Sequence, residues 1–311
     1  MKIVFLDSRT LGETPNLNQL NALGEVVFYS DTQTSQVQER ISTAEVVITN
    51  KVKITHDTMA TCPQLRLICV AATGTNNVDL AAAAKLGIAV KNVKGYSTDS
   101  VAQLTFTLLL AILNSPVYYD RYVKSGAYSQ ETIFTHLGRP FWELRGKRFG
   151  IVGLGEIGRQ VAKIADAFGA EVVYFSASGV SQNVGYQRLN LPEFIKTCDI
   201  ISIHAPLNNQ TDGLLNYAQL CQMKPSAVLL NTSRGGIVVE ADLARALNEN
   251  RIAAAGIDVF TQEPIAANHP YLNLQNPDKL LLAPHVGWSS IEARIRLMDG
   301  VFENIRQFIN S

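Results

Sequence analysis

Apolar positions along this chain alternate between two rhythms. Short runs of β-branched and aromatic residues, bounded by glycine or polar positions, take turns with stretches whose apolar residues fall three and four apart. In the first part, "KIVFL", "EVVFYS", "EVVITN", "LRLICVAA" and "IAVKNV" read as strands, with helices near 16–23, 34–42, 55–61 and 79–86 between them. A longer helix begins near "STDSVAQ", where Ser97 or Thr98 can cap it, and runs to about Asn114. A second alternation follows. Its strands are "RFGIVG", "EVVYFS", "DIISIHA", "AVLLNTS", "AAAGIDV" and "KLLLAPH"; its helices are "EIGRQVAKIADAFG", "LPEFIKTC", "YAQLCQM" and "EADLARALNEN". The amphipathic segment "EARIRLMDGVFENIRQFI" closes the chain. Such alternation predicts α/β architecture, with parallel sheets covered by helices.

Between the two alternations, residues 115–146 are irregular, aromatic-rich and hold two prolines. A segment of this kind is an arm packing on another subunit or a surface excursion. Tyr118, Tyr119, Tyr122, Tyr128, Phe134, Phe141 and Trp142 need somewhere to bury, which favours the arm and a homodimer. There is no repeat of fixed period and no low-complexity linker.

The length of 311 residues exceeds one ordinary core, so two domains are expected. Lys plus Arg and Asp plus Glu each number 27, which gives no basic field for nucleic acid. The expected partner is a small molecule. Cys62, Cys69, Cys198 and Cys221 show neither CxxC pairing nor metal-ligand spacing and read as buried thiols of a reduced compartment, with no metal. Asp7 interrupts the opening strand before a signal-length apolar run develops, and "VAQLTFTLLLAIL" is too short to span a bilayer. These features predict a cytoplasmic protein without a membrane segment.

"GIVGLGEIGRQ" sets Gly153, Gly155 and Gly158 after an apolar strand and at the mouth of a helix. That spacing permits a tight turn, close approach of backbone to a pyrophosphate and close packing of helix on strand. A dinucleotide is the predicted ligand. An acid normally follows the second strand to accept hydrogen bonds from the adenosine ribose, but here Phe175, Ser176, Ala177 and Ser178 stand there. No carboxylate repels a 2′-phosphate and no Arg or Lys of the turn attracts one. Ser176 is the expected partner of a ribose hydroxyl, with NAD(H) expected and NADP(H) left open.

The run "LLNTSRGG" ends buried-looking aliphatics in Arg234, a permanent cation that calls for an anionic partner. "GIDVFTQEP" supplies Asp258 and Glu263, and "LLLAPHVGW" supplies His285. Ligands of open parallel sheets bind at the carboxyl ends of strands, so Arg234, Glu263 and His285 are expected to converge there.

These three motifs, the glycine fingerprint and "VAATGTNNVDLAAA" together resemble the D-isomer-specific 2-hydroxyacid dehydrogenase family over essentially the whole chain. "TNKVKIT", "GYSTDSVAQLTFTLLL" and "PHVGWSSIEARIRLM" most resemble its glycerate dehydrogenase, or hydroxypyruvate reductase, branch. The resemblance implies two doubly wound parallel-sheet domains with a cleft between them. These are a flavodoxin-like substrate domain of 1–97 plus 287–311 and a Rossmann NAD-binding domain of 98–286, the arm at about 115–146 included.

It also implies roles. Arg234 binds and polarises a 2-oxo acid, His285 gives its proton to the carbonyl as hydride arrives, and Glu263 fixes the imidazole tautomer and favours its protonated form. Amides of Ala72, Thr73 and Gly74 grip the substrate carboxylate, with Gly74 there for its backbone geometry. Glu156 and Ile157 line the pyrophosphate; Thr232, Ser233, Arg234, Asp258, His285, Val101 and Gly287 lie about the nicotinamide. A helix or turn cap is the competing reading of Asp258. His56, His136, His204 and His269 are surface or supporting residues. Lys51 and Trp288 either shape the pocket or serve as a solvated lysine and a packing tryptophan, and Gln103 stands where much of the family carries Glu. The implied reaction is reversible reduction of hydroxypyruvate to D-glycerate. Glyoxylate, pyruvate or a bulkier 2-oxo acid is the alternative substrate, and a dinucleotide-sensing interaction protein the alternative function.

Overall fold

Val46–Thr49 and Leu67–Val70 are buried at every position, as strands covered on both faces must be. They are the centre of a sheet built from Lys2–Phe5 (β1), Glu25–Phe28 (β2), Val46–Thr49 (β3), Leu67–Val70 (β4) and Ala89–Asn92 (β5). Its strands are parallel, in the order β2-β1-β3-β4-β5. One face buries Ile3, Phe5 and Cys69 beneath Leu297, Met298, Val301 and Ile305 of the closing helix Ile291–Ile309. The other buries Val4, Val47 and Ile68 beneath Val37, Ile41, Met59 and Ala82. The computed structural model describes residues 1–14, 16–180 and 185–310. The chain divides into two compact units, Met1–Ser97 with Trp288–Ser311, and Thr98–Gly287.

The second unit carries a parallel seven-stranded sheet of Arg148–Val152 (β6), Glu171–Phe175 (β7), Gln187–Arg188 (β8), Ile200–Ile203 (β9), Val228–Asn231 (β10), Ala254–Ile257 (β11) and Leu280–Leu282 (β12). Their order is β12-β11-β10-β9-β6-β7-β8. From β6 the chain winds outward to β7 and β8, then returns to β9 on the other side. That reversal makes the carboxyl ends of β6 and β9 the place where a ligand enters such a sheet. Helices Thr98–Asn114 and Glu156–Ala167 cover one face, burying Phe106, Leu109, Val161 and Ala165 against Phe149, Ile151 and Leu230. Leu191–Thr197, Tyr217–Leu220 and Glu240–Asn248 cover the other. The fold is thus two doubly wound parallel α/β sheets.

The structure departs from the sequence pattern in a few places. The helix expected near 16–23 is the 3-10 turn Leu17–Ala22, and that near 34–42 is the 3-10 turn Thr34–Gln36 running into Val37–Ile41. The segment 115–146 contains a regular helix, Pro116–Lys124. Its proline sits at the first helical position, where no amide partner is lost. Ser115, at a φ of +46°, separates it from the preceding helix. Tyr118, Tyr119 and Tyr122 pack with His136, and Arg139 lies over the Tyr118 ring. Ile133, Phe134, Leu137 and Phe141 stay exposed. Among the described residues no single helix is long and apolar enough to cross a membrane. Three cysteines are buried as expected, but Cys221 is exposed. Burial pushes the Cys69 and Cys198 thiols up to about 12.

Candidate active site

β6 ends at Val152 and turns through Gly153, whose φ of +89° lies where L side chains are strained. A Cβ on Gly153 would stand 2.8 Å from the Ala205 backbone just past β9. One on Gly158 would stand 2.2 Å from the Gly153 carbonyl oxygen, so helix Glu156–Ala167 sits directly on the turn. Gly155 differs. Its φ is −74°, and a Cβ there would meet nothing within 4 Å. Among the described residues no contact accounts for that glycine, and the open backbone there leaves room for a ligand to approach. Helix Glu156–Ala167 begins with no side-chain cap hydrogen bond, which leaves room for an anion at its first-turn amides. Glu156 and Ile157 occupy that first turn. These features fit a dinucleotide pyrophosphate.

Asn231, at the end of β10, holds the next loop. Its Nδ2 donates to the Arg234 carbonyl at 2.8 Å and its Oδ1 accepts from the Ser233 amide at 3.1 Å. The Ser233 hydroxyl donates to the Ala205 carbonyl at 2.5 Å. Arg234 is half-buried, its Nη1 donating to the Ser233 carbonyl at 2.7 Å. After it comes a close approach: a Cβ on Gly235 would lie 2.0 Å from the Phe260 carbonyl carbon. The Arg234 loop is thereby pressed against the loop that carries Glu263. Thr232 is buried, with its hydroxyl 3.1 Å from that of Thr105, which itself donates to the Val101 carbonyl at 2.8 Å. Helix Thr98–Asn114 is tied to the end of β10 in this way.

Asp258, past β11, laces the neighbouring strand ends together. Its amide donates to the Asn231 carbonyl at 2.9 Å, and its own carbonyl accepts from the His285 amide at 2.7 Å. Its carboxylate accepts from the amides of Val286 at 2.8 Å and Gly287 at 2.9 Å. Burial pushes this carboxyl above its ordinary range, although the two amide bonds oppose the shift. Those bonds are the turn-cap geometry, and they hold the segment after His285 in place. Gly287 lets the carboxylate come close, since a Cβ there would be 2.8 Å from Oδ2 and 3.7 Å from a Val101 methyl.

His285 adopts a φ of +55°, a left-handed conformation that histidine tolerates better than bulkier residues. Its Nδ1 lies 2.7 Å from Glu263 Oε2, both side chains partly exposed. The carboxylate can only accept, so the proton of that bond sits on Nδ1 and Nε2 is the nitrogen that Glu263 does not engage. Glu263 Oε1 accepts from the Phe260 amide at 3.0 Å, which fixes the carboxylate in turn. A second carboxylate–histidine pair buttresses the same loop. Glu240 accepts from the Thr261 amide at 2.8 Å and pairs with His269 Nε2 at 3.1 Å.

In the first unit, Ala72, Thr73 and Gly74 follow β4. The Thr73 hydroxyl donates to the Val93 carbonyl at 3.2 Å and the Ala72 carbonyl accepts from the Val93 amide. Gly74 is not among the glycines of positive φ, so a left-handed turn does not explain it. The loop after the neighbouring strand β3 is held by buried Asp7, past β1, which accepts from the amides of Asn50 at 2.9 Å, Lys51 at 2.7 Å and Val52 at 3.2 Å. Asp7 is a structural anchor that the pattern of residues does not reveal. Trp288 packs edge-on against Tyr96 at 6.4 Å, the packing reading of that residue. Gln103 is exposed on its helix.

The Ser176 hydroxyl lies 3.2 Å from that of Ser178. Sequence reading finds no cation at this turn, but the fold supplies one: β8 pairs Arg188 with Tyr174, and Arg188 Nη2 would lie 3.8 Å from a Cβ on Gly179. Of the remaining histidines, His56 pairs with Asp57 on the surface and His136 stacks on Tyr122 at 3.8 Å. His204 bonds Ser202 at 2.8 Å, and burial pushes its imidazole down to about 3.

Residues 106–287 match the family described as D-isomer specific 2-hydroxyacid dehydrogenase, NAD binding domain. The chain is 36% identical to a hydroxypyruvate reductase of Blautia hydrogenotrophica, over 99% of this chain and 97% of that protein. It is 36% identical to a glycerate dehydrogenase of Methylorubrum extorquens, over 99% and 96%. An NADPH-dependent glyoxylate/hydroxypyruvate reductase from Sinorhizobium meliloti, solved with NADP and malonate, superposes with a TM-score of 0.86 at 27% identity, covering 100% of this chain and 94% of that one.

Proposed function

Because this chain belongs to the D-isomer specific 2-hydroxyacid dehydrogenase family, we propose that it reduces hydroxypyruvate to D-glycerate, reversibly, with a nicotinamide dinucleotide. Reduction of 2-oxo acids by a nicotinamide-dependent dehydrogenase is the family's activity. The hydroxypyruvate assignment rests on the relatives that share the full length. The observation that carries the chemical reading is the 2.7 Å bond between His285 Nδ1 and Glu263, which leaves Nε2 to meet a substrate oxygen.

When bound, the reduced nicotinamide supplies the hydride. Arg234 holds the 2-oxo acid through its carboxylate and adjacent carbonyl, for which a planar guanidinium is suited. In its doubly protonated form the His285 ring gives the Nε2 proton to the carbonyl oxygen, which leaves it neutral with the remaining proton on Nδ1, and it takes the proton back in the reverse direction. Glu263 keeps the ring in that tautomer and orientation, while Asn231 and Ser233 keep Arg234 from drifting. Amides of Ala72, Thr73 and Gly74 take the substrate carboxylate. Gly153, Gly155, Glu156, Ile157 and Gly158 take the pyrophosphate, and Ser176 the adenosine ribose. Val101, Thr232, Ser233, Asp258 and Gly287 flank the nicotinamide.

Initial rates with hydroxypyruvate, glyoxylate and pyruvate test the substrate assignment. Hydroxypyruvate is expected to exceed both in kcat/KM by about tenfold or more, the discrimination that one hydrogen-bonded hydroxymethyl group can give. Equal or better use of pyruvate would overturn it.

The exposed apolar residues Ile133, Phe134 and Leu137 of the segment 115–146 support a contact with a second copy of this chain. Sedimentation at twice the monomer mass is the expected result. Monomer mass at micromolar concentration would refute the homodimer.

A further inference from the structure

The carboxyl end of β7 is where a parallel sheet of this kind receives the adenosine ribose, and an acid there both binds the ribose hydroxyls and repels a phosphate. Here the strand runs out through Phe175, Ser176, Ala177 and Ser178, none of them acidic. Gly179 donates its amide to the Ser176 carbonyl at 3.2 Å and turns the chain at a φ of +75°. The hydroxyls of Ser176 and Ser178 are 3.2 Å apart on this turn.

The adjacent strand adds the complementary charge. β8 is only Gln187–Arg188, paired in register with Val173 and Tyr174, so Arg188 stands beside the end of β7. Its side chain is exposed, and its Nη2 would be 3.8 Å from a Gly179 Cβ. That is ordinary contact distance, so the guanidinium reaches the turn itself, while the positive φ accounts for the glycine. One guanidinium fork and two hydroxyl donors around a single turn match a phosphate monoester dianion, which accepts two parallel N–H bonds from arginine and further bonds from hydroxyls.

We propose that Arg188, Ser176 and Ser178 form a subsite for a phosphate on the 2′-oxygen of the adenosine ribose, giving the enzyme a preference for the phosphorylated dinucleotide. The inference rests on the dinucleotide reading of the glycine loop and specifies which nucleotide that site selects. Arg188 is the specificity-determining residue, and it acts at a distance from the reacting atoms.

Calorimetric titration of the full chain with adenosine 2′,5′-bisphosphate and with 5′-AMP isolates the subsite, since the two ligands differ only in the 2′-phosphate. The wild type is expected to bind the bisphosphate about tenfold more tightly or better. Arg188→Gln should bring the two ligands to within about threefold without altering 5′-AMP affinity, and Arg188→Lys should restore part of the preference. Equal affinities in the wild type, or a preference that survives Arg188→Gln, would overturn the subsite. A parallel NADH titration separates the two readings. If NADH binds while the preference is absent, only the subsite fails; if neither NADH nor NADPH binds, the dinucleotide reading fails with it.

Discussion

Replacing His285 or Arg234 by alanine is expected to lower kcat for 2-oxo acid reduction by about 10³-fold, with affinity for the dinucleotide within about threefold of wild type. The two losses have different causes. Without His285, the developing alkoxide has no proton donor held in place by Glu263 at 2.7 Å, and water must substitute. Without Arg234, the substrate loses the cation that fixes its carboxylate and polarises its carbonyl, so KM should rise as kcat falls. The pyrophosphate loop rests on Gly153 and Gly158 and depends on neither side chain. Steady-state kcat and KM, followed by nicotinamide absorbance, together with a fluorescence titration of bound NADH or NADPH, check both halves. Either variant retaining wild-type kcat would remove its residue from the mechanism.

Gly235→Ala is expected to cost about a hundredfold in kcat and to lower the thermal midpoint by several degrees. The added methyl would fall 2.0 Å from the Phe260 carbonyl carbon and 2.2 Å from the Thr261 nitrogen, both backbone atoms with no side-chain rotation to relieve them. One of the two loops must move. The Phe260 amide holds Glu263 at 3.0 Å and the Thr261 amide holds Glu240 at 2.8 Å, so movement there loosens the support of His285. Gly236→Ala is the control: its methyl would meet Asp212 Oδ1 and the Leu207 side chain at 3.3 Å, groups able to shift slightly. Paired kcat and melting measurements decide the matter. A Gly235→Ala enzyme with wild-type kcat would show that the close approach of these loops is dispensable.

The sequence makes some of this legible and hides the rest for physical reasons. Strands such as Leu67–Val70 and Val228–Asn231 are buried throughout, and continuous apolar runs between helical patterns announce that directly. The glycine loop is legible because Gly153 and Gly158 answer steric demands that spacing alone encodes. β8 is not, since two polar residues carry no periodicity and owe their strand state to pairing with β7. Arg188 is missed with it, being a dozen residues from the turn it reaches. Pro116 misleads in the opposite direction, reading as a break where it opens a helix.

The site divides along the same line. Arg234, Glu263 and His285 stand out by residue type at strand ends. Asp7, Asn231 and Glu240 do not, because each acts by accepting backbone amides from a loop or fixing a loop carbonyl, and any polar residue at a strand or helix end looks alike in sequence. At Asp258 residue type does not show that the carboxylate accepts from the amides of Val286 and Gly287, a local turn bond that only the fold reveals. Gly235 and Gly236 are indistinguishable in "SRGG"; only the approach of Phe260 separates them.

The central claim is that His285, oriented by Glu263, delivers the proton that accompanies hydride transfer to a 2-oxo acid. The most direct test is single-turnover rapid mixing of wild type and His285→Ala, each saturated with its preferred reduced dinucleotide, against hydroxypyruvate. Rapid loss of nicotinamide absorbance is expected in the wild type and a decay slower by about 10³-fold in the variant. Decay at the wild-type rate in His285→Ala would contradict it.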